Sequence, residues 1–117
     1  RQGSWRSRSA TCRAPPHHPA LLQIGNLPGS LKLSPGGIGP ESKQVMENIK
    51  TTLEAHGHTM ANVVKCTAML ADMSEWGAFN EVYKTYFAEG RYPARSAFGA
   101  TALAFNARIE VECIAAK

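Results

Sequence analysis

The chain of 117 residues is the length of one small domain, 44% hydrophobic and 19% charged, and no apolar run approaches the roughly 20 residues needed to span a bilayer. Its formal charge of +4 is concentrated at one end: residues 1–40 hold five Lys/Arg and no acid, whereas residues 41–117 hold eight Lys/Arg against nine Asp/Glu. The main body therefore lacks the basic surface of a nucleic-acid binder, no membrane partner is expected, and so short a chain gains stability by associating with copies of itself.

Residues 1–20 are rich in Arg, Ser, Pro and His without an apolar period, and they read as a disordered or separate leader ahead of a single domain over 21–117. A basic, acid-free leader resembles a mitochondrial transit segment, and a solvated tail has the same composition, so cytoplasm and mitochondrion both stay open as locations. Cys12, Cys66 and Cys113 have no framework spacing and predict unpaired thiols in a reducing compartment. No metal is expected. Cys12 with His17 and His18, or His56 with His58, lacks the paired ligand spacing that fixes a tetrahedral ion.

Leu21-Leu22-Gln23-Ile24 predicts a short strand, and the Pro and Gly residues crowding 26–40 predict a loop. A helix should start near Gly39-Pro40-Glu41, with Val45, Met46, Ile49 and Leu53 on one face and Gly57 as its stop. His56 and His58 flank that stop and suit the negative end of the helix dipole. Residues 62–70 alternate with both faces largely apolar, the pattern of a buried central strand. Asp72 and Glu75 have the spacing of a capping box for a second helix, and its stripe of Trp76, Phe79, Val82, Tyr83 and Tyr86 reads as core packing. Residues 94–103 and 107–116 predict a β-hairpin turning near Asn106. In the return strand Ile109, Val111, Cys113 and Ala115 share one face, and Arg108, Glu110 and Glu112 the other. The order of elements indicates an α+β fold with two helices on one face of a sheet.

A hairpin centred between Leu103 and Ala104 sets Glu110 opposite Ala97 and Arg95 diagonal to Glu110 on the same face, roughly 7 to 8 Å away at the backbone. Two readings stay open. The pair is a structural salt bridge, or it is a polar site with a guanidinium fork for a carboxylate, a carboxylate that holds water, and backbone groups at Ala97 beside them.

The strings Asn62-Val63-Val64-Lys65-Cys66-Thr67, Leu70-Ala71-Asp72-Met73, Phe79-Asn80-Glu81-Val82-Tyr83 and Tyr86-Phe87 resemble the middle of the Rid/YjgF family, also called the endoribonuclease L-PSP family. Pro93-Ala94-Arg95-Ser96 is similar to its PARS motif, and Ile109-Glu110-Val111-Glu112-Cys113-Ile114-Ala115 to its closing strand. The resemblance implies a chorismate-mutase-like α+β fold, a mixed sheet with two helices on one face, assembling as a homotrimer with pockets between subunits. It implies hydrolytic deamination of short 2-imino acids to 2-oxo acids and ammonia, without a cofactor. Arg95 would bind the substrate carboxylate, Glu110 would position the attacking water, and Gly25 and Ala97 would line the pocket. The chain also departs from the family. It has no segment like GPYSQ, Ile24-Gly25-Asn26 stands where an SGQ-like segment belongs, and Leu103-Ala104-Phe105-Asn106 replaces an LPKG-like turn. Those departures favour a second reading, a trimer that binds small carboxylates without turning them over; a third is the ribonuclease activity attributed to some members.

Overall fold

The computed structural model describes residues 20–30 and 32–116, with the first five of these described by their backbone. The basic leader, with Cys12, His17 and His18, lies outside the described residues. Four strands, β1 (Ala20–Ile24), β2 (Val63–Leu70), β3 (Ala94–Gly99) and β4 (Ile109–Ala115), form one sheet in the order β1-β4-β2-β3. β4 runs antiparallel to both β1 and β2, and β2 runs parallel to β3, so the sheet is mixed. Two helices, α1 (Ile38–Ala55) and α2 (Trp76–Tyr83), pack on one sheet face. α2, extended by 3-10 turns at Met73–Glu75 and Lys84–Tyr86, is the crossover that joining two parallel strands requires.

The helix signals act where the spacing placed them. Gly57 takes a left-handed φ of 80°, its N–H donates to the carbonyl of Glu54, and His58 N–H donates to the carbonyl of Leu53. That 5→2 and 6→1 pair closes α1, and glycine enters the left-handed region without a Cβ penalty. Val45, Met46, Ile49 and Leu53 are fully buried against Phe79 and Tyr83 of α2 and against Cys66, Ala68, Leu70, Ile109, Val111, Cys113 and Ala115 of the sheet. His56 sits at the helix end as expected, its Nδ1 2.8 Å from the Thr52 carbonyl, and His58 beyond the stop is buried. At the start of α2 the capping box does not close. Asp72 accepts hydrogen bonds from the N–H and hydroxyl of Ser74, and Glu75 turns away to an ion pair with Arg108 at 2.9 Å.

The C-terminal hairpin is not formed. β2 lies between β3 and β4, and the connection from 100 to 108 passes around its end: Ala100 N–H donates to the Leu70 carbonyl on one side, and Ala71 N–H donates to the Arg108 carbonyl on the other. Phe105 and Asn106 take left-handed φ values of 56° and 59°, so the turn expected near Asn106 exists but bridges two strands that never pair. β2 is buried on its core face and pairs along both edges, parallel to β3 and antiparallel to β4, and a direct β3–β4 ladder would displace it from one of those partners.

The thiol expectation is also overturned. Cys66 and Cys113 face each other across the β2–β4 ladder, each about 1% exposed, and are joined as a disulfide. Spacing in sequence gave no hint of this, because the pair is created by strand register alone.

Tyr86, at the end of the α2 crossover, donates its hydroxyl to Glu47 Oε2 of α1 at 2.6 Å. Burial, and then the neighbouring Glu47 carboxylate, raise its phenol above the usual value of 10.0. The folded state therefore holds this proton more tightly than the unfolded chain does, so the contribution is intact below about pH 10 and declines as pH rises beyond it. Comparing urea unfolding of the wild type and Tyr86→Phe should show a stability advantage of about 1–2 kcal/mol near neutral pH that shrinks in alkali.

Candidate active site

Strand register decides which candidate residues meet. Cys66 is the partner of Arg95, so Arg95 shares the helix-covered face with Cys66, and Ala97 follows it there beside Ala68. Glu110 is the partner of Met69, whose side chain alternates to the other face, and Met69 in turn is the partner of Phe98. Glu110 is also the β4 partner of Ile24, which brings it next to Gly25 at the end of β1. The candidates therefore fall into two groups: Arg95 with Ala97 on β3, and Glu110 with Gly25 at the β1–β4 end. The expected Glu110–Ala97 pairing and the Arg95–Glu110 diagonal do not occur. With β2 interposed, β3 and β4 lie about 10 Å apart, and the two side chains leave opposite faces.

The Arg95 group is built by α2. The guanidinium carbon lies 4.4 Å from the centroid of the Trp76 ring and 4.6 Å from that of Tyr83, and Nη1 donates to Asn80 Oδ1 at 2.6 Å. Aromatic faces attract a guanidinium and restrict its motion, while leaving its edge free to bind. No carboxylate among the described residues pairs with Arg95. Its surroundings form an open recess of about 390 Å³, lined by Asn80, Tyr83, Lys84, Tyr92, Pro93 and Arg95, with a volume in the range of small-molecule sites. Burial pushes the Tyr83 phenol up, and the Arg95 charge opposes that shift. The arrangement is a cationic, aromatic-walled receptor for a small anion.

Sequence reasoning assigned Trp76 and Tyr83 to the core stripe and passed over Asn80. A signal was present. Trp76, Asn80 and Tyr83 recur at helical spacing, and Asn80 is a polar residue set within an otherwise apolar face.

The Glu110 group is built by the start of α1. Glu41 is 4% exposed, and its Oε2 accepts hydrogen bonds from the N–H groups of Arg108 at 2.6 Å and Ile109 at 3.3 Å. Gly25 is buried against the same residue: a Cβ built there would stand 2.6 Å from both Glu41 Cγ and the Glu41 carbonyl oxygen. Only glycine fits without moving α1. Gly25→Ala should therefore lower stability by about 1–3 kcal/mol in chemical unfolding, as overpacking does elsewhere. Glu110 itself is partly buried and makes no ion pair among the described residues. No cluster of three potential metal ligands occurs among the described residues.

Around Glu110 the helix-free face carries Met69, Ile114 and a half-exposed Phe98. The same face carries Glu112, Thr67 and Lys65, so Glu110 is a strand-borne carboxylate on a mixed surface suited to holding a water molecule or to meeting another surface.

Residues 21–117 match the endoribonuclease L-PSP family model. The rat 2-iminobutanoate/2-iminopropanoate deaminase is 48% identical over 93 residues, which cover 80% of this chain and 67% of that protein. The human protein of the same name is 43% identical over 93 residues, with the same shares. A putative endoribonuclease from Thermotoga maritima superposes with a TM-score of 0.81 at 36% identity, covering 86% of this chain and 80% of that one. E. coli TdcF with bound serine gives a TM-score of 0.79 at 27% identity, covering 86% and 81%. These neighbours share the chorismate-mutase-like architecture that the family resemblance implied.

Proposed function

Since this chain belongs to the endoribonuclease L-PSP (Rid/YjgF) family, we propose that it is a hydrolytic deaminase of short 2-imino acids, working at sites shared between copies of the chain. The observation that carries the reading is the guanidinium of Arg95, which has no carboxylate partner among the described residues and is held over Trp76 and Tyr83 at the wall of a small open recess. A carboxylate is the ligand a guanidinium edge binds best, through two parallel hydrogen bonds. Relatives named for 2-iminobutanoate and 2-iminopropanoate, and one solved with serine bound, supply the matching chemistry.

The reaction asks little beyond placement. A protonated C=N carbon is already electrophilic. Glu110 accepts a proton from a water molecule as its oxygen adds to that carbon and returns it to the nitrogen of the resulting carbinolamine; the C–N bond then breaks as the hydroxyl gives up its proton, leaving the 2-oxo acid and ammonium. Arg95 holds the substrate by its carboxylate throughout. Because Arg95 and Glu110 leave opposite faces of their own sheet, both reach one substrate only when they come from different copies. The helix-free face, with Phe98, Met69 and Ile114 set among Lys65, Thr67 and Glu112, gives the copies a mixed surface to join, and a ring of three equivalent contacts is the closed assembly we favour. Ala97 lies beside Arg95 and lines that side of such a cleft, whereas Gly25, buried against Glu41, supports the backbone next to Glu110.

The test is a coupled assay in which a dehydratase releases 2-iminobutanoate and semicarbazide traps it. Addition of the protein should suppress semicarbazone formation and speed release of 2-oxobutanoate. No change in either rate, with the protein folded and associated, removes the deaminase and leaves a carboxylate-binding assembly.

A further inference from the structure

We propose that Glu41 is a positioning residue for the water-handling half of the site, a role that rests on the deaminase reading given above. An acid in the first turn of a helix ordinarily faces solvent and favours the positive end of the dipole. Glu41 does something else. It is 4% exposed, forms no ion pair among the described residues, and reaches across the fold to the segment that opens β4. Burying a carboxylate is costly unless donors satisfy it, so the two hydrogen bonds from Arg108 N–H and Ile109 N–H are the condition on which the side chain stays inside.

Those donors are the two residues immediately before Glu110. The end of a strand is where a ladder frays most readily, and the Glu41 carboxylate fixes that end directly. The same residue also seats β1. Its Cγ and carbonyl oxygen press on Gly25, which follows Ile24, the β1 partner of Glu110. Glu41 thus holds the backbone before Glu110 by hydrogen bonds and packs closely on Gly25, and it is not among the residues that line the Arg95 recess.

Its effect should consequently fall on kcat and spare KM. A misplacement of about 1 Å in a group that aligns a reacting water lowers the rate on the order of a hundredfold. Substrate capture by Arg95, two strands away on the other face, should be unchanged. Glu41→Leu removes the acceptor at similar volume and should lower kcat for 2-iminobutanoate by roughly ten- to a hundredfold with KM altered less than about twofold. Glu41→Gln keeps an oxygen that accepts both N–H groups and should stay close to wild type. If the leucine variant does not fold, Glu41→Asp, which withdraws the acceptor by one methylene, serves the same comparison.

Amide hydrogen exchange at Arg108, Ile109 and Glu110 is the second measurement and is independent of turnover. Exchange should accelerate in the leucine or aspartate variant and remain slow in Glu41→Gln. The proposal is overturned by a folded leucine or aspartate variant with unchanged kcat, by a rise in KM with kcat unchanged, or by a glutamine variant as impaired as leucine. Unchanged exchange at those three amides overturns it as well. If the wild type releases no 2-oxo acid, the deaminase reading fails, and the exchange data still decide whether Glu41 holds the backbone of Glu110.

Discussion

Arg95→Ala lowers kcat/KM for 2-iminobutanoate by on the order of a hundredfold, since a lost pair of charge-assisted hydrogen bonds is worth about 3 kcal/mol. Glu110→Gln is expected to fall as far through kcat, because an amide cannot take the proton of the attacking water. The decisive experiment combines the two. Coexpressed Arg95→Ala and Glu110→Gln chains, each nearly inactive alone, should regain activity in mixed assemblies, with about a quarter of the sites restored if each is formed from two neighbouring copies in random order. Recovery follows from geometry: the register Cys66–Arg95 and Met69–Glu110 places the two side chains on opposite sheet faces. Mixed assemblies that stay as inactive as the parents would mean that the pair does not act across a subunit boundary.

Reduction of the Cys66–Cys113 disulfide should destabilise the fold by about 4 kcal/mol in the chain-entropy account, because the crosslink closes a separation of 47 residues in the unfolded chain. Both sulfurs lie in the core between β2 and β4, so a reductant gains access when the chain opens rather than at its surface. Urea unfolding of the wild type with and without reductant should differ by that amount. The double substitution Cys66→Ala/Cys113→Ala should show no dependence on reductant. Thiol titration of the unfolded, unreduced protein should find Cys12 alone; three reactive thiols would contradict the crosslink.

Periodicity served well where one element buried one stripe. α1, with its apolar face and Gly57 stop, lies almost where the spacing put it, because helix period and left-handed closure are properties of adjacent residues. β2 and β4 were legible for the same reason, since alternation marks which residues face the core. The partner of each strand was not legible. A strand, a helix and a second strand in sequence are the signature of a parallel crossover, yet the nearness of residues 94–99 to 109–115 favoured a hairpin that β2 in fact interrupts. The errors about which strand residues meet descend from that one. The Arg95–Glu110 diagonal, the Glu110–Ala97 pairing and the unpaired state of Cys66 and Cys113 all depend on which strand lies beside which. Glu41 was legible only as part of a helix start, because nothing near it in sequence announces Arg108 and Ile109.

The position of β4 between β1 and β2 also has a consequence for synthesis. A growing chain on the ribosome exposes β1 early, and β2 and β3 can join through α2 without further help, but β1 has no ladder to enter until β4 has emerged. The sheet is then completed by insertion of a late strand into its middle rather than by addition at an edge. Contacts of such long sequence separation slow folding and prolong the interval in which strand edges are bare. Released chains truncated before residue 109 should therefore be the ones that aggregate or recruit chaperones, and those that include β4 should not.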